Sequence, residues 1–352
     1  MATEINMSLN KDEHYSLAVV IPCWNCGNYI QALLDSICNQ TFSDWNAFFV
    51  DDGCLDQTPE IIQAYQKQDP RIHYAKRDSF PKGAQKCRNI GLRLSDGAEY
   101  VVFLDSDDLI APYCFEQRVG FMRANPSVDF ASFPAKAFKK EIYDDTYWGF
   151  GIQGKQELIL SLLYWRTLQL FVSSNIYKRS SIINAGLNWD ERLACMQDAD
   201  FNIQSLTKGL IHSFTEPSRI DYFYRTGHSS VSKRITEPAM FDSHLYLIGK
   251  VTESFRQAFL TKYDFYLKAY IVNFLGLFKK NRKPVRSLLK IGFVKRHPGF
   301  FFLLALYLLL GMRGRAILFK RYTSYSSESA KEWSALVTEA IRGKTLAETV
   351  HG

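Results

Sequence analysis

Residues Tyr100–Asp108 read YVVFLDSDD: five consecutive apolar residues, then a tetrad with three carboxylates. Five residues are too few for a helix, and the run shows no polar alternation, so it reads as a strand buried on both faces. Working outward, the same signal recurs. Leu17–Ile21 and Ala47–Val50 are further apolar runs, and Ile72–Ala75 is a weaker one. Between them lie helical patterns: Tyr29–Cys38 with Ile30, Leu33, Leu34 and Ile37 on one face, a helix from Pro59 with Thr58 as its N-cap, and Gly83–Leu94. Strand and helix in alternation predict an α/β fold with a mostly parallel central sheet covered on both faces.

Ligands of such sheets bind beyond the carboxyl ends of the strands. The first strand runs into Pro22-Cys23-Trp24-Asn25, the second into Asp51-Asp52-Gly53, and the fourth into Asp105-Ser106-Asp107-Asp108. A single aspartate after a strand is ordinary turn or capping chemistry. Two carboxylate clusters at one sheet edge repel unless a cation compensates them. A divalent ion held by oxygen ligands alone, Mg or Mn, is the simplest compensation. Asp105 and Asp107 are alternate residues and share one side of an extended segment.

Taken in order, VVIPCWNCGNYI, VDDGCLDQT, KCRNIGL, FLDSDD, MQDADF and YR resemble the inverting glycosyltransferases of family 2, across about Leu17–Ser232. The resemblance implies a GT-A type nucleotide-sugar fold and transfer of one sugar, with inversion, from a nucleoside diphosphate sugar, expected to be a UDP-sugar. It places Pro22 and Trp24 beside the base, Asp52 with Asp51 on the base, and Arg88 at the diphosphate. Asp107 becomes the metal ligand, with Asp105 on ribose or metal and Asp108 able to substitute after a small register shift. Asp198, in the first turn of a helix, becomes the general base that activates the acceptor hydroxyl. His228, in the loop after Tyr224-Arg225, is implied at the metal or phosphate. Gln197 departs from the family, which usually has Glu there. Read alone, Arg88 also fits a solvated helix charge, Asp198 a helix N-cap and His228 a solvated loop residue. Asp190 and Glu191 are expected to be structural.

The 352-residue chain has a formal charge of +7, unevenly distributed. Phe265–Ser327 carries thirteen Lys and Arg and no Asp or Glu, leaving a net of −6 on the remainder. Within that basic stretch, Phe300–Leu310 (FFFLLALYLLL) is continuously apolar. The segment 299–312 is about 21 Å as a helix, against the 30 Å of a bilayer core. Three readings of the tail compete. Lys and Arg flanking an apolar wedge suit an anionic membrane surface. An oligomer contact or core helix explains the apolar run but not the missing acids. Nucleic-acid binding explains the charge but not eleven apolar residues in a row.

The expected organisation is a polar segment at 1–16, a GT-A domain at 17–235 and a helical, basic extension at 236–352. Met1–Ser16 is polar where a secretory signal would be apolar, which predicts a cytoplasmic body, peripheral on the inner face of the membrane. Seven irregularly spaced cysteines fit reduced thiols, with Cys23-x-x-Cys26 a weak redox or zinc signal. The expected partners are the nucleoside diphosphate sugar, a glycan or lipid-linked acceptor of bacterial-type surface polysaccharide synthesis, and the membrane surface. A homo-oligomer remains an alternative use of the apolar run, and no nucleic acid is expected. Two other functions remain open: a nucleotidyltransferase, which would normally carry a Gly-rich, Lys-containing phosphate loop unlike Pro22–Asn28, and a degenerate nucleotide-sugar-binding module.

Overall fold

A computed structural model describes residues 14–77, 79–139, 147–148, 172–215, 219–227 and 238–254, with scattered positions between 271 and 305. The chain divides into two compact units, Met1–Gly151 with Leu168–Ser230, and Ile152–Thr167 with Val231–Gly352.

In the first unit the elements follow the alternation expected from the sequence. β1 (Tyr15–Cys23), α1 (Ile30–Cys38), β2 (Trp45–Asp51), α2 (Thr58–Gln66), β3 (Ile72–Lys76), α3 (Ala84–Leu94) and β4 (Ala98–Phe103) come first. They are followed by β5 (Leu109–Ile110), α4 (Cys114–Ala124), β6 (Phe130–Ser132), β7 (Ala135–Phe138) and β8 (Tyr147–Trp148). A 3-10 turn (Val172–Ser174) leads into β9 (Asn175–Lys178), α5 (Arg179–Asn184), α6 (Gln197–Thr207), β10 (His212–Phe214) and β11 (Tyr222–Arg225). The central sheet has the order β10-β6-β9-β4-β1-β2-β3. β1 is parallel to both β2 and β4, β2 to β3, and β10 to β6, while β9 runs antiparallel to β4 and β6. A second sheet, β5-β11-β7-β8, is built from short strands.

β1 is the axis of this unit. Leu17, Ala18, Val19, Val20 and Ile21 are all fully buried, so neither face of the strand meets water. Odd positions join a core cluster with Ile30, Leu33 and Leu34 of α1. On the other face α3 lies so close that a Cβ on Gly91 would sit 2.3 Å from Val20 Cγ1, which explains a glycine inside a helix. α2 differs in its start: the N-cap position is Gln57, Thr58 is the first helical residue, and the Asp56 carboxylate accepts the Thr58 N–H at 3.1 Å. Thr58 Oγ1 is spent elsewhere, accepting the Cys26 N–H at 3.0 Å across the first loop.

One buried ion pair ties the second sheet to the first. Arg118 of α4 and Asp221, just before β11, have fully buried side chains joined by Nε–Oδ2 and Nη2–Oδ1 bonds of 2.9 and 2.8 Å. Arg118 Nη1 also donates to the Ser173 carbonyl at 2.8 Å. The pair therefore fixes both the entry to β11 and the turn before β9.

In the second unit, α8 of the expected helical tail is described as one helix, numbered α7 here (Pro238–Ser254), with Leu247, Ile248 and Val251 buried. Among the described residues no helix is long and apolar enough to cross a membrane. The apolar segment 299–312 is described only at Gly299, Phe301, Phe302, Leu304 and Ala305, with Leu304 buried and Phe302 65% exposed.

Removing the charge from one side of the buried pair leaves the other without compensation. Arg118→Leu is expected to lower stability by about 3–5 kcal/mol, read as a lower urea midpoint.

Candidate active site

The loops that leave β1, β2 and β4 meet at one edge of the central sheet. Backbone bonds stitch the first two: the Asp52 N–H donates to the Cys23 carbonyl at 2.8 Å, and the Leu55 N–H to Asn25 Oδ1 at 2.8 Å. Asn25 has a φ of 48°, the left-handed geometry that asparagine tolerates. Pro22 is buried in β1, whereas the Trp24 side chain beyond it is 54% exposed. All seven cysteines are free thiols.

The two aspartates after β2 have different jobs. Asp51 is fully buried; Oδ1 accepts the N–H groups of Gly53 and Cys54 at 2.8 and 2.7 Å, and Oδ2 the Tyr74 hydroxyl at 2.5 Å. It shapes the turn that presents Asp52. Asp52 accepts a bond from the Gly83 N–H at 2.6 Å and forms a buried ion pair with Arg77. Arg77 was not singled out by the sequence. Its one available signal was its place directly after β3, at the same sheet edge.

The DSDD loop also divides its carboxylates. Asp108 is buried; its oxygens accept the Tyr222 hydroxyl and the Arg225 N–H, the latter at 2.7 Å. Burial, with Asp107 and Asp105 nearby, pushes its carboxyl well above the usual range. Asp108 is thus a fastener between this loop and β11, and the register shift that would let it replace Asp107 would break both bonds. Arg225 Nε adds a 2.7 Å bond to the Asp107 carbonyl.

Asp105 faces inward to Arg88. The Arg88 side chain, on α3, is 5% exposed, which sets aside the solvated-charge alternative. Nη2 donates to Asp105 Oδ1 at 2.5 Å, Nη1 to Gln197 Oε1 at 3.0 Å, and Nη1 lies 3.9 Å from Asp198 Oδ1. The guanidinium lies over the Trp189 ring, 4.6 Å from its centroid. Asp198 is the second residue of α6, whose N-cap position is Met196, so it is not the N-cap itself. About a third of its side chain (35%) stays exposed. Enclosure by the site pushes its carboxyl up to about 6, Arg88 opposing the rise and Asp105 adding to it. Asp190 and Glu191 serve the frame: Asp190 pairs with Arg192, and Glu191 accepts a 3.0 Å bond from Asn89. His228 lies outside the described residues.

Among the described residues no group of three or more His, Cys, Asp or Glu is arranged to hold a metal ion. Asp105 and Asp107 supply oxygen donors only, a set that suits Mg or Mn if the remaining ligands come from phosphate oxygens and water. The arrangement thus offers a two-carboxylate cation position on one side of Arg88 and a carboxylate with raised pKa on the other. Tyr222→Phe leaves the buried Asp108 one donor short, and a loss of about 1–3 kcal/mol in urea unfolding is expected.

Comparison with known proteins agrees with this geometry. Residues 18–183 match the family model for Glycosyl transferase family 2. TuaG of Bacillus subtilis, whose name assigns it to teichuronic acid biosynthesis, is 37% identical over 108 residues, 30% of this chain and 41% of that protein. The chain spans 66% or less of the length of the first three curated relatives it matches. Among solved structures, S. aureus TarS (residues 1–349, in complex with UDP-GlcNAc) superposes with a TM-score of 0.62 at 18% identity, covering 89% of this chain and 92% of TarS. The mannosyltransferase PcManGT from Pyrobaculum calidifontis, in complex with GDP-Man and Mn2+, gives 0.50 at 15% identity, covering 97% and 89%. Residues 18–183 of the chain therefore belong to glycosyltransferase family 2, on a GT-A type fold.

Proposed function

We propose that the chain transfers a sugar, with inversion at the anomeric carbon, from a nucleoside diphosphate sugar to a glycan or lipid-linked acceptor in bacterial cell-surface polysaccharide synthesis. One observation carries the reading: Asp105 and Asp198, 93 positions apart in sequence, converge on the same buried guanidinium. The donor side of the site and the acceptor side are thereby held within one side-chain length. The relatives' names support the pathway class, since TuaG is assigned to teichuronic acid and a further Bacillus subtilis relative, GgaA, to minor teichoic acid biosynthesis.

In this reading Pro22 and Trp24 flank the base and Asp52, turned by Asp51 and paired with Arg77, accepts its ring N–H. The TarS complex with UDP-GlcNAc supports a UDP-sugar. Asp107, with Asp105, holds Mg or Mn, as the Mn2+ in PcManGT supports. The ion supplies charge neutralisation for the departing nucleoside diphosphate. Arg88 adds positive charge at the diphosphate side, and His228 is assigned to the phosphate or metal. Asp198 takes the proton of the acceptor hydroxyl as the oxygen attacks the anomeric carbon and the bond to phosphate breaks.

The basic extension beyond residue 236 is assigned to the inner membrane surface, supported by the exposed Phe302 and the acid-free stretch around it. Deleting 299–352 is expected to release the protein from anionic vesicles; unchanged co-sedimentation contradicts the assignment.

Screening nucleotide sugars with Mn2+ for thermal stabilisation identifies the donor. With that donor, Asp107→Ala is expected to abolish metal-dependent turnover, and Asp198→Asn to keep donor binding while losing transfer. If both variants transfer normally, the site is wrongly assigned.

The pH dependence follows from the raised pKa of Asp198. The base works only when ionised, so kcat/KM is expected to fall as pH drops through about 6 and to level off above it. An acid limb near pH 4, the range of an ordinary carboxylate, contradicts the assignment.

A further inference from the structure

Gln197 adjoins the proposed base, yet none of the roles above uses it. Its amide is oriented from one end. Nε2 donates to the Leu193 carbonyl at 3.1 Å and to Gln85 Oε1 at 2.9 Å, with the Ala194 carbonyl at 3.5 Å. Backbone carbonyls only accept, so the NH2 group must face them and the amide oxygen must face away. That oxygen meets Arg88 Nη1 at 3.0 Å. Gln85 is oriented in turn by donating Nε2 to the Glu191 carbonyl at 3.2 Å.

Arg88 depends on this contact. Its Nε is buried with no hydrogen-bond partner among the described residues, and Trp189 offers only a flat ring. The guanidinium is fixed by Nη2 on Asp105 and by Nη1 on Gln197, while Asp198 is 3.9 Å away.

We propose that Gln197 is a positioning residue for transfer: a neutral acceptor that fixes Arg88 between Asp105 and Asp198 without claiming a share of its charge. The inference rests on the reading of Asp198 as the base. Glutamate at this position has nearly the same shape but only acceptor oxygens. One of them would face the carbonyls of Leu193 and Ala194, and the added charge would compete with Asp105 and Asp198 for the single guanidinium. Methionine keeps the length and stays neutral, but leaves Nη1 without its acceptor.

The test uses the full chain with Gln197→Glu, Gln197→Met and Asp198→Asn, probed with UDP-GlcNAc and Mn2+. UDP release to water gives kcat and the donor KM, thermal melting reports folding, and nitrogen-15 NMR of the Arg88 guanidinium gives a readout independent of turnover. Both Gln197 variants are expected to lower kcat roughly tenfold or more, with a smaller change in donor KM. Gln197→Glu should fall at least as far as Gln197→Met, and the Arg88 signals should shift in both. A packing role predicts the opposite order, because Glu preserves the shape. Gln197→Glu with wild-type kcat and unshifted Arg88 signals overturns the inference, as does a loss of kcat that only follows a lowered melting temperature. If Asp198→Asn loses turnover while Gln197→Glu keeps it, this inference alone fails. If Asp198→Asn keeps turnover, the reading beneath it fails.

Discussion

Arg88 is a cation buried in a protein interior, and the site is built around compensating it. An unpaired buried charge is prohibitively costly, so the fold must bring carboxylates to it. Asp105 comes from the end of β4, Asp198 from the first turn of α6, and Trp189 closes the face between them. α3 can carry Arg88 to this point because Gly91, one helical turn further on, lets the helix settle against Val20 of β1. A small residue in a helix interior and a charge at the sheet edge are thus parts of one constraint.

The same logic explains the division of labour among the aspartates. Asp51 and Asp108 have both oxygens occupied by backbone N–H groups or tyrosine hydroxyls and hold loops in shape. Asp52, Asp105 and Asp198 instead face arginines. In each motif, one carboxylate fixes the backbone so that its neighbour is presented to the site. Strand β11 takes part through Tyr222 and Arg225, and the buried Arg118–Asp221 pair anchors the start of that strand.

Much of this was legible in the sequence. Apolar runs of β-branched and aromatic residues marked β1, β2 and β4, because strands buried on both faces cannot hide their composition. The carboxylates after them marked the ligand edge. What was not legible depends on long-range pairing. Nothing local distinguishes Asp107 from Asp108, since the difference lies in Tyr222 and Arg225, more than a hundred residues away. Arg77 looked like any loop charge until Asp52 was placed beside it. β9 is only four residues long, and its antiparallel insertion between β4 and β6 follows from the sheet and not from its own pattern.

The central claim is that the DSDD loop and the start of α6 face each other across the reacting carbon. Anomalous diffraction from crystals grown with Mn2+ and a non-hydrolysable analogue of the stabilising donor tests it most directly. The account predicts a manganese peak against the Asp107 carboxylate and the diphosphate, with Asp198 on the face of the sugar opposite the leaving phosphate. A peak away from the DSDD loop, or Asp198 on the same face as the phosphate, would contradict it.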